Sequence, residues 1–227
     1  MASTGQVILD AAIASSLAND AARSELASNS VELLNVLNRK IRQVYTLAAT
    51  PKADGGLSRS ADLFLDRVAT TLDGTTVLAE HAFRPTVFRT SDLVRVAVVP
   101  RADIRDGIAE LPPAVHLEGN ILKSTGRAGD PGTGAGLTVE FVALPVNMAV
   151  GTETIGATTA GDPTTSRWPS AVGDPFLISW LARYLALKAG DREAQEFGGI
   201  EADLAENANQ LATYLGIDGT RLIEAAE

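Results

Sequence analysis

The sequence predicts an α+β protein: a helical bundle drawn from both ends of the chain, with an antiparallel β-sheet or sandwich and long loops inserted between them. Three observations carry that expectation. Apolar residues recur at helical spacing near both termini, the middle of the chain switches to short β-branched runs bounded by Pro, Gly and Asp, and no internal repeat interrupts the order. At 227 residues, 45% of them hydrophobic, the chain can supply one large domain or two modules sharing a core.

In "SVELLNVLNRKIRQVYTLAATP", Leu34, Leu37, Ile41, Val44 and Ala48 alternate steps of three and four along one face, with Ser30 as N-cap and Pro51 as stop. The run "SRSADLFLDRVATTLDG" repeats the habit through Ala61, Phe64, Leu65, Val68 and Leu72, ending at Gly74. It predicts a second helix, antiparallel to the first across the turn "KADGG", and assigns residues 1–74 to the bundle. The runs "TTVLAEHAF", "DLVRVAVVP", "AVHLEGNIL" and "LTVEFVALP" then read as strands, so 75–173 is a β-rich insertion. Its last stretch, residues 146–175, is too long for an ordinary connection and is expected to be disordered or bound to something. Residues 174–227 return to the bundle. Asp174 and Pro175 form an N-cap and N1 pair, and Leu177, Trp180, Leu181, Tyr184 and Leu185 form an apolar stripe. Gly190 closes that helix. Asp191 caps the next, which turns Phe197, Ile200, Leu204, Ala208, Leu211 and Leu215 inward until Gly216.

Composition narrows the chemistry. The formal charge of −9 argues against a broad basic surface that grips nucleic acid through counterion release. Cys is absent, which removes disulfides, thiolate metal sites and cysteine nucleophiles, and only His81 and His116 are available as imidazoles. The start "MASTGQVILDAA" lacks the basic and apolar regions of a secretory signal, and no apolar run reaches the roughly 20 residues of a membrane span. The expectation is a protein made in a cytoplasm.

The candidate sites are few. "GDPGTGAG", residues 129–136, lacks the Gly-Lys-Ser/Thr ending of a phosphate loop and has no helix behind it, so it reads as a flexible hairpin tip. His81 and His116 fall in strands with no nucleophile-elbow motif nearby, and Asp103 and Asp106 alternate with Arg101 and Arg105 as solvated ion pairs. Arg39, Lys40 and Arg42 make the one dense positive patch on a predicted helix, able to meet an acidic partner or a phosphate backbone. Trp168, beside Arg167 in "SRWPSAVGDP", either tucks against its own domain or anchors into a neighbour. From Asp174 to Glu227 ten acidic residues face four basic ones, a strongly negative surface.

The N-terminal "VELLNVLNRKIRQVY" helix, the β insert with long loops and the terminal "PFLISWLARYLALKAGDREAQE" helix together resemble the adaptor, or head-to-tail connector, proteins of tailed bacteriophages, including the tail tubular protein A type. The resemblance runs from about Ser28 to Leu215 and rests on layout. It implies a virion neck protein without catalytic residues, cofactor or metal: a ring, usually of twelve copies, docked between the portal and a tail, nozzle or head-closure protein. Genomic DNA would pass through its channel without sequence-specific binding. It also implies that the loop around Trp168 and Arg167 and the glycine-rich tip reach neighbouring proteins. In some relatives the C-terminal segment binds the portal, which makes Gly216 to Glu227, with Ile217 and Leu222, a second contact. The alternatives are a head-closure or tail-terminator protein, or a ligand-binding or hydrolytic enzyme using His81 or His116.

Overall fold

The computed structural model describes residues 3–16, 30–49, 64–75, 77–81, 85–100, 113–160, 162–189 and 195–224. The fold is α+β, with five helices and a six-stranded sheet among these residues. It divides into a helical unit, Met1–Leu63 with Pro145–Glu227, and a sheet unit, Phe64–Leu144.

The helical unit contains α1 (Gly5–Ser15), α2 (Ser30–Ala49), α3 (Ser170–Ala189), α4 (Gln195–Leu215) and the short α5 (Gly219–Ile223). The apolar stripe expected on α2 is buried from Leu34 to Ala48, and on the facing elements Ile8, Leu9, Phe176, Leu181, Leu185, Leu204 and Leu211 are buried too. α4 ends as its sequence requires. Gly216 takes φ +66° and the Ile217 N–H reaches back to the Ala212 carbonyl at 3.1 Å, which closes the last turn. Asp218 then caps α5, its Oδ1 accepting the Thr220 N–H at 2.9 Å.

Two expectations about this unit change. α3 begins at Ser170, so Pro175 lies inside the helix instead of opening it. The start moves back because the Pro169 carbonyl already accepts the Val172 and Gly173 N–H groups at 3.0 and 2.8 Å. The stretch following Pro145 is neither an ordinary connection nor an outward arm. Asn38, buried on α2, exchanges two hydrogen bonds of 2.9 Å with the backbone of Met148. Thr4 bridges Thr154, and Ile155, Ala157 and Trp168 are buried. What this stretch is bound to is its own helical unit.

The sheet unit has strands β1 (Leu65–Thr71), β2 (Thr86–Arg89), β3 (Arg95–Val99), β4 (Ala114–Glu118), β5 (Ile121–Ser124) and β6 (Gly136–Val142). They lie in the order β1-β6-β2-β3-β4-β5. β1 corrects the helix expected over residues 61–74. Its positions pair antiparallel with β6 from Leu65↔Val142 to Thr71↔Gly136. Val68, Thr70 and Thr71 are stiff at χ1 and suit a pleated strand, and the ladder outweighs an apolar spacing that also fits a helix. The boundary between units therefore falls at Phe64, not at residue 74. It falls at Pro145 on the other side, not at 173, because of the loop contacts above.

Three further differences concern the sheet. "AVHLEGNIL" is a hairpin rather than one strand: Glu118 pairs with Ile121, and Gly119, at φ +61°, makes the turn with Asn120. Among its described residues, the first strand run holds only isolated bridges, Val77 to Ile121 and His81 to Ala143. β3 and β4 pair parallel, an exception to the expected antiparallel sheet, and residues 100–113 supply the dozen or so residues a parallel crossover needs. The sheet curls around one core of Leu72, Leu78, Val87, Val96, Val115, Leu122, Leu137, Val139, Phe141 and Ala143. The caps and turns expected at Pro51, Gly190 and Asp191, the Arg101 to Asp106 cluster and the Phe197 side chain lie outside what is described.

Candidate functional site

Among the described residues of the helical unit, Lys40 is the most unusual charged group. α2 turns it inward while its neighbour Arg39 stays solvent-exposed, and it is fully buried. Its Nζ donates to Gln43 Oε1 at 2.9 Å and to the Glu224 backbone carbonyl at 3.0 Å. The ammonium also sits 4.8 Å from the Trp180 ring centroid and 5.8 Å from that of Phe176, within cation–π range. Burial pushes its pKa down to about 8; the nearby positive Arg183 adds to the fall and Glu224 opposes it. Lys40 is thus a strut between α2, α3 and the C-terminal segment.

The basic patch expected at Arg39, Lys40 and Arg42 is not one surface. Only Arg39 is exposed; Arg42 is partly covered and its Nη1 donates to the Pro145 carbonyl at 3.2 Å. The physical reason is the helical period: Arg39 falls outside the apolar stripe while Lys40 lies beside Leu37 and Ile41, where α3 packs.

Trp168 tucks against its own unit. It is 6% exposed and stacks on Tyr45 with ring centroids 6.3 Å apart and planes 9° from parallel. Its Nε1–H donates to Asp174 Oδ1 at 2.9 Å, while Ser3 Oγ donates to Asp174 Oδ2. Two glycines make room: a Cβ on Gly173 would meet the indole at 2.5 Å, and one on Gly156 would meet Tyr45 Oη at 2.7 Å. Arg167 beside it is exposed. Of the two C-terminal residues singled out, Leu222 is fully buried and Ile217 half-buried.

The glycine-rich loop is tied down rather than free. Burial pushes the Asp130 carboxyl upward, but bonds from Arg127, Thr125 and the Ala114 N–H outweigh this and hold its pKa below the usual carboxylate value. Ala135 accepts the Leu72 N–H at 2.9 Å, and Gly134 donates to Leu72 at 2.8 Å. His81 packs edge-on to Phe141 at 5.9 Å with Nδ1 2.9 Å from the Ala79 carbonyl. His116 is buried on β4 opposite Lys123.

Surface chemistry is more suggestive than any polar constellation. The Gln6 N–H bonds the Gly151 carbonyl at 2.7 Å, and Gly5 packs against the Leu34 and Met148 side chains. The start of α1, the first half of α2 and the 146–151 loop are therefore one neighbourhood. Within it, Val7 and Val150, each one residue from the Gln6–Gly151 bond, are 57% and 55% exposed. A cavity of about 350 Å³ beside it is lined by Val146, Met148, Thr152, Glu153 and Asp162 among others. Among the described residues no cluster of three or more His, Cys, Asp or Glu is placed to hold a metal ion, and no helix is long and apolar enough to cross a membrane. Nothing in the sequence reading pointed to Val7 and Val150, since they lie on separate segments that only the fold brings together. In comparisons with known proteins, no family model and no curated protein matches this chain.

Proposed function

We propose that this protein is a structural adaptor of a tailed-bacteriophage neck, assembling as a ring between the portal and the tail or head-closure protein and extending the channel through which DNA leaves the capsid. The observation that carries the assembly part of this reading is the pair of exposed valines, Val7 and Val150, that flank the Gln6–Gly151 contact between α1 and the loop. Two aliphatics more than half exposed, on either side of one backbone contact, resemble the apolar centre of a protein contact more than scattered surface residues. The layout supports the phage part: helices from both ends of the chain form one unit and the sheet is inserted between them. An overall charge of −9 suits a wall that DNA slides along without sticking.

The test is the mass of the purified protein by light scattering, alone and with a purified portal complex. A monomer that forms a large ring on the portal supports the reading. A chain that stays monomeric or dimeric and ignores the portal refutes it, and ligand screening around His81 and His116 would follow.

A further inference from the structure

The loop beyond Pro145 leaves a cavity of about 350 Å³, at the small end of the range of ligand pockets. Its frame is pinned from outside the loop and from within it. Asn38 of α2 exchanges two bonds of 2.9 Å with the Met148 backbone, and the Val146 N–H donates to the Ala157 carbonyl at 2.9 Å. Met148 and Ala157 are buried, and with Val146 and Pro163 they make the apolar part of the lining.

The polar part carries two carboxylates, each held through one oxygen. Glu153 Oε2 accepts the Ala149 and Val150 N–H groups at 2.5 and 3.0 Å. Asp162 Oδ1 accepts the Thr164 hydroxyl at 2.7 Å and the Thr164 N–H at 2.9 Å, and these bonds hold its pKa below the usual carboxylate value. Among the described residues, Glu153 Oε1 and Asp162 Oδ2 accept no hydrogen bond, and no Lys or Arg pairs with either group. The cavity thus offers two fixed negative charges that the fold leaves unmatched, beside an apolar wall, in a chain of net charge −9. We propose that it binds a small organic cation: a guanidinium or ammonium group that meets Glu153 and Asp162, on an aliphatic stem that lies along Val146, Met148 and Pro163. A guanidinium suits it better than an ammonium, because its planar fork of donors can give a carboxylate two parallel bonds. Among the described residues no third carboxylate or imidazole joins the pair, which disfavours a bare metal ion as the occupant. The same cationic chemistry comes from a free small molecule or from an arginine side chain of a neighbouring protein. The site needs only one folded chain, so it stands or falls apart from the ring reading.

The probe is agmatine, a guanidinium on a short aliphatic amine, titrated into the full chain and followed through backbone amide resonances. The N–H groups of Ala149, Val150 and Thr164 donate to the two carboxylates, so their signals should shift together and saturate. Pentanoate, with a similar stem and the opposite charge, should leave them in place. Glu153→Gln with Asp162→Asn keeps the acceptor oxygens that hold the loop and removes both charges. It should weaken agmatine binding by about tenfold or more. If that variant melts earlier than the parent, Asp162→Asn alone carries the test and should weaken binding several-fold. Unchanged affinity in the folded variant overturns the site, as do shifts that never saturate and spread over exposed Asp203 and Glu206 on α4. Arginine blocked at both ends separates the two sources. Binding as tight as agmatine's assigns the cavity to a neighbour's side chain, binding of agmatine alone assigns it to a free small molecule, and binding of neither overturns the proposal.

Discussion

Lys40 couples stability to pH in a direction set by its depressed pKa. In the unfolded chain it holds its proton to about pH 10.5, whereas in the fold it releases it near 8. The unfolded state therefore binds more protons between those values, and stability rises with pH across that window, by up to about 3 kcal/mol. That contribution is lost as pH falls through 8. Urea denaturation of the parent at pH 7.5 and 10 should show the gain, and Lys40→Met should lack it. Trp168 gives a second test at this scale. An added methyl at position 173 would lie 2.5 Å from the indole, and the ring is held by Tyr45 and Asp174. Gly173→Ala should therefore cost about 1–3 kcal/mol despite the better helix propensity of alanine, with a changed tryptophan fluorescence. An unchanged denaturation midpoint would mean that the indole moves aside freely.

Among the elements, the segment from Val146 to Pro169 shows how one polar side chain can fix a long loop. Asn38 offers a donor and an acceptor to Met148 and leaves neither backbone group without a partner. Asn38→Leu should leave both unsatisfied, costing roughly 1–3 kcal/mol and opening the loop to protease cleavage before the helices are cut. The helices of this unit were legible in sequence because Leu34, Leu37, Ile41 and their counterparts on α3 and α4 repeat at helical spacing, a local signal. β1 was not. Phe64, Leu65, Val68 and Leu72 fit a helical stripe equally well, and the ladder that decides otherwise comes from β6, about seventy residues away in the chain. The β4–β5 turn at Gly119 and Asn120 and the short strand β2 at Thr86–Arg89 were missed in the sequence, although a Gly-Asn turn and a Thr-Val-Phe run mark them. α1 was not read from the sequence, although Ile8, Leu9 and Ala12 fall on one face.

For the whole molecule, the exposed valines make assembly the property to measure. Val7→Asp with Val150→Asp places two charges on a surface that already tolerates solvent, so the monomer should keep its melting temperature within a few degrees. Ring formation on the portal should fall at least tenfold, read as the assembled fraction in sedimentation. Assembly unaffected by both charges would remove this surface as the contact. By itself the sequence determined the fold class, the helical stripes, the absence of thiol chemistry and the acidic balance, because each follows from composition or from spacing within a few residues. The tertiary structure alone decided that Lys40 is buried instead of presented, that Trp168 is an internal anchor, that the long loop belongs to the helical unit and that exposed Val7 and Val150 flank one contact between α1 and that loop. Those outcomes depend on which distant segments meet, and a side chain's burial is set by its neighbours in space, not by its neighbours in the chain.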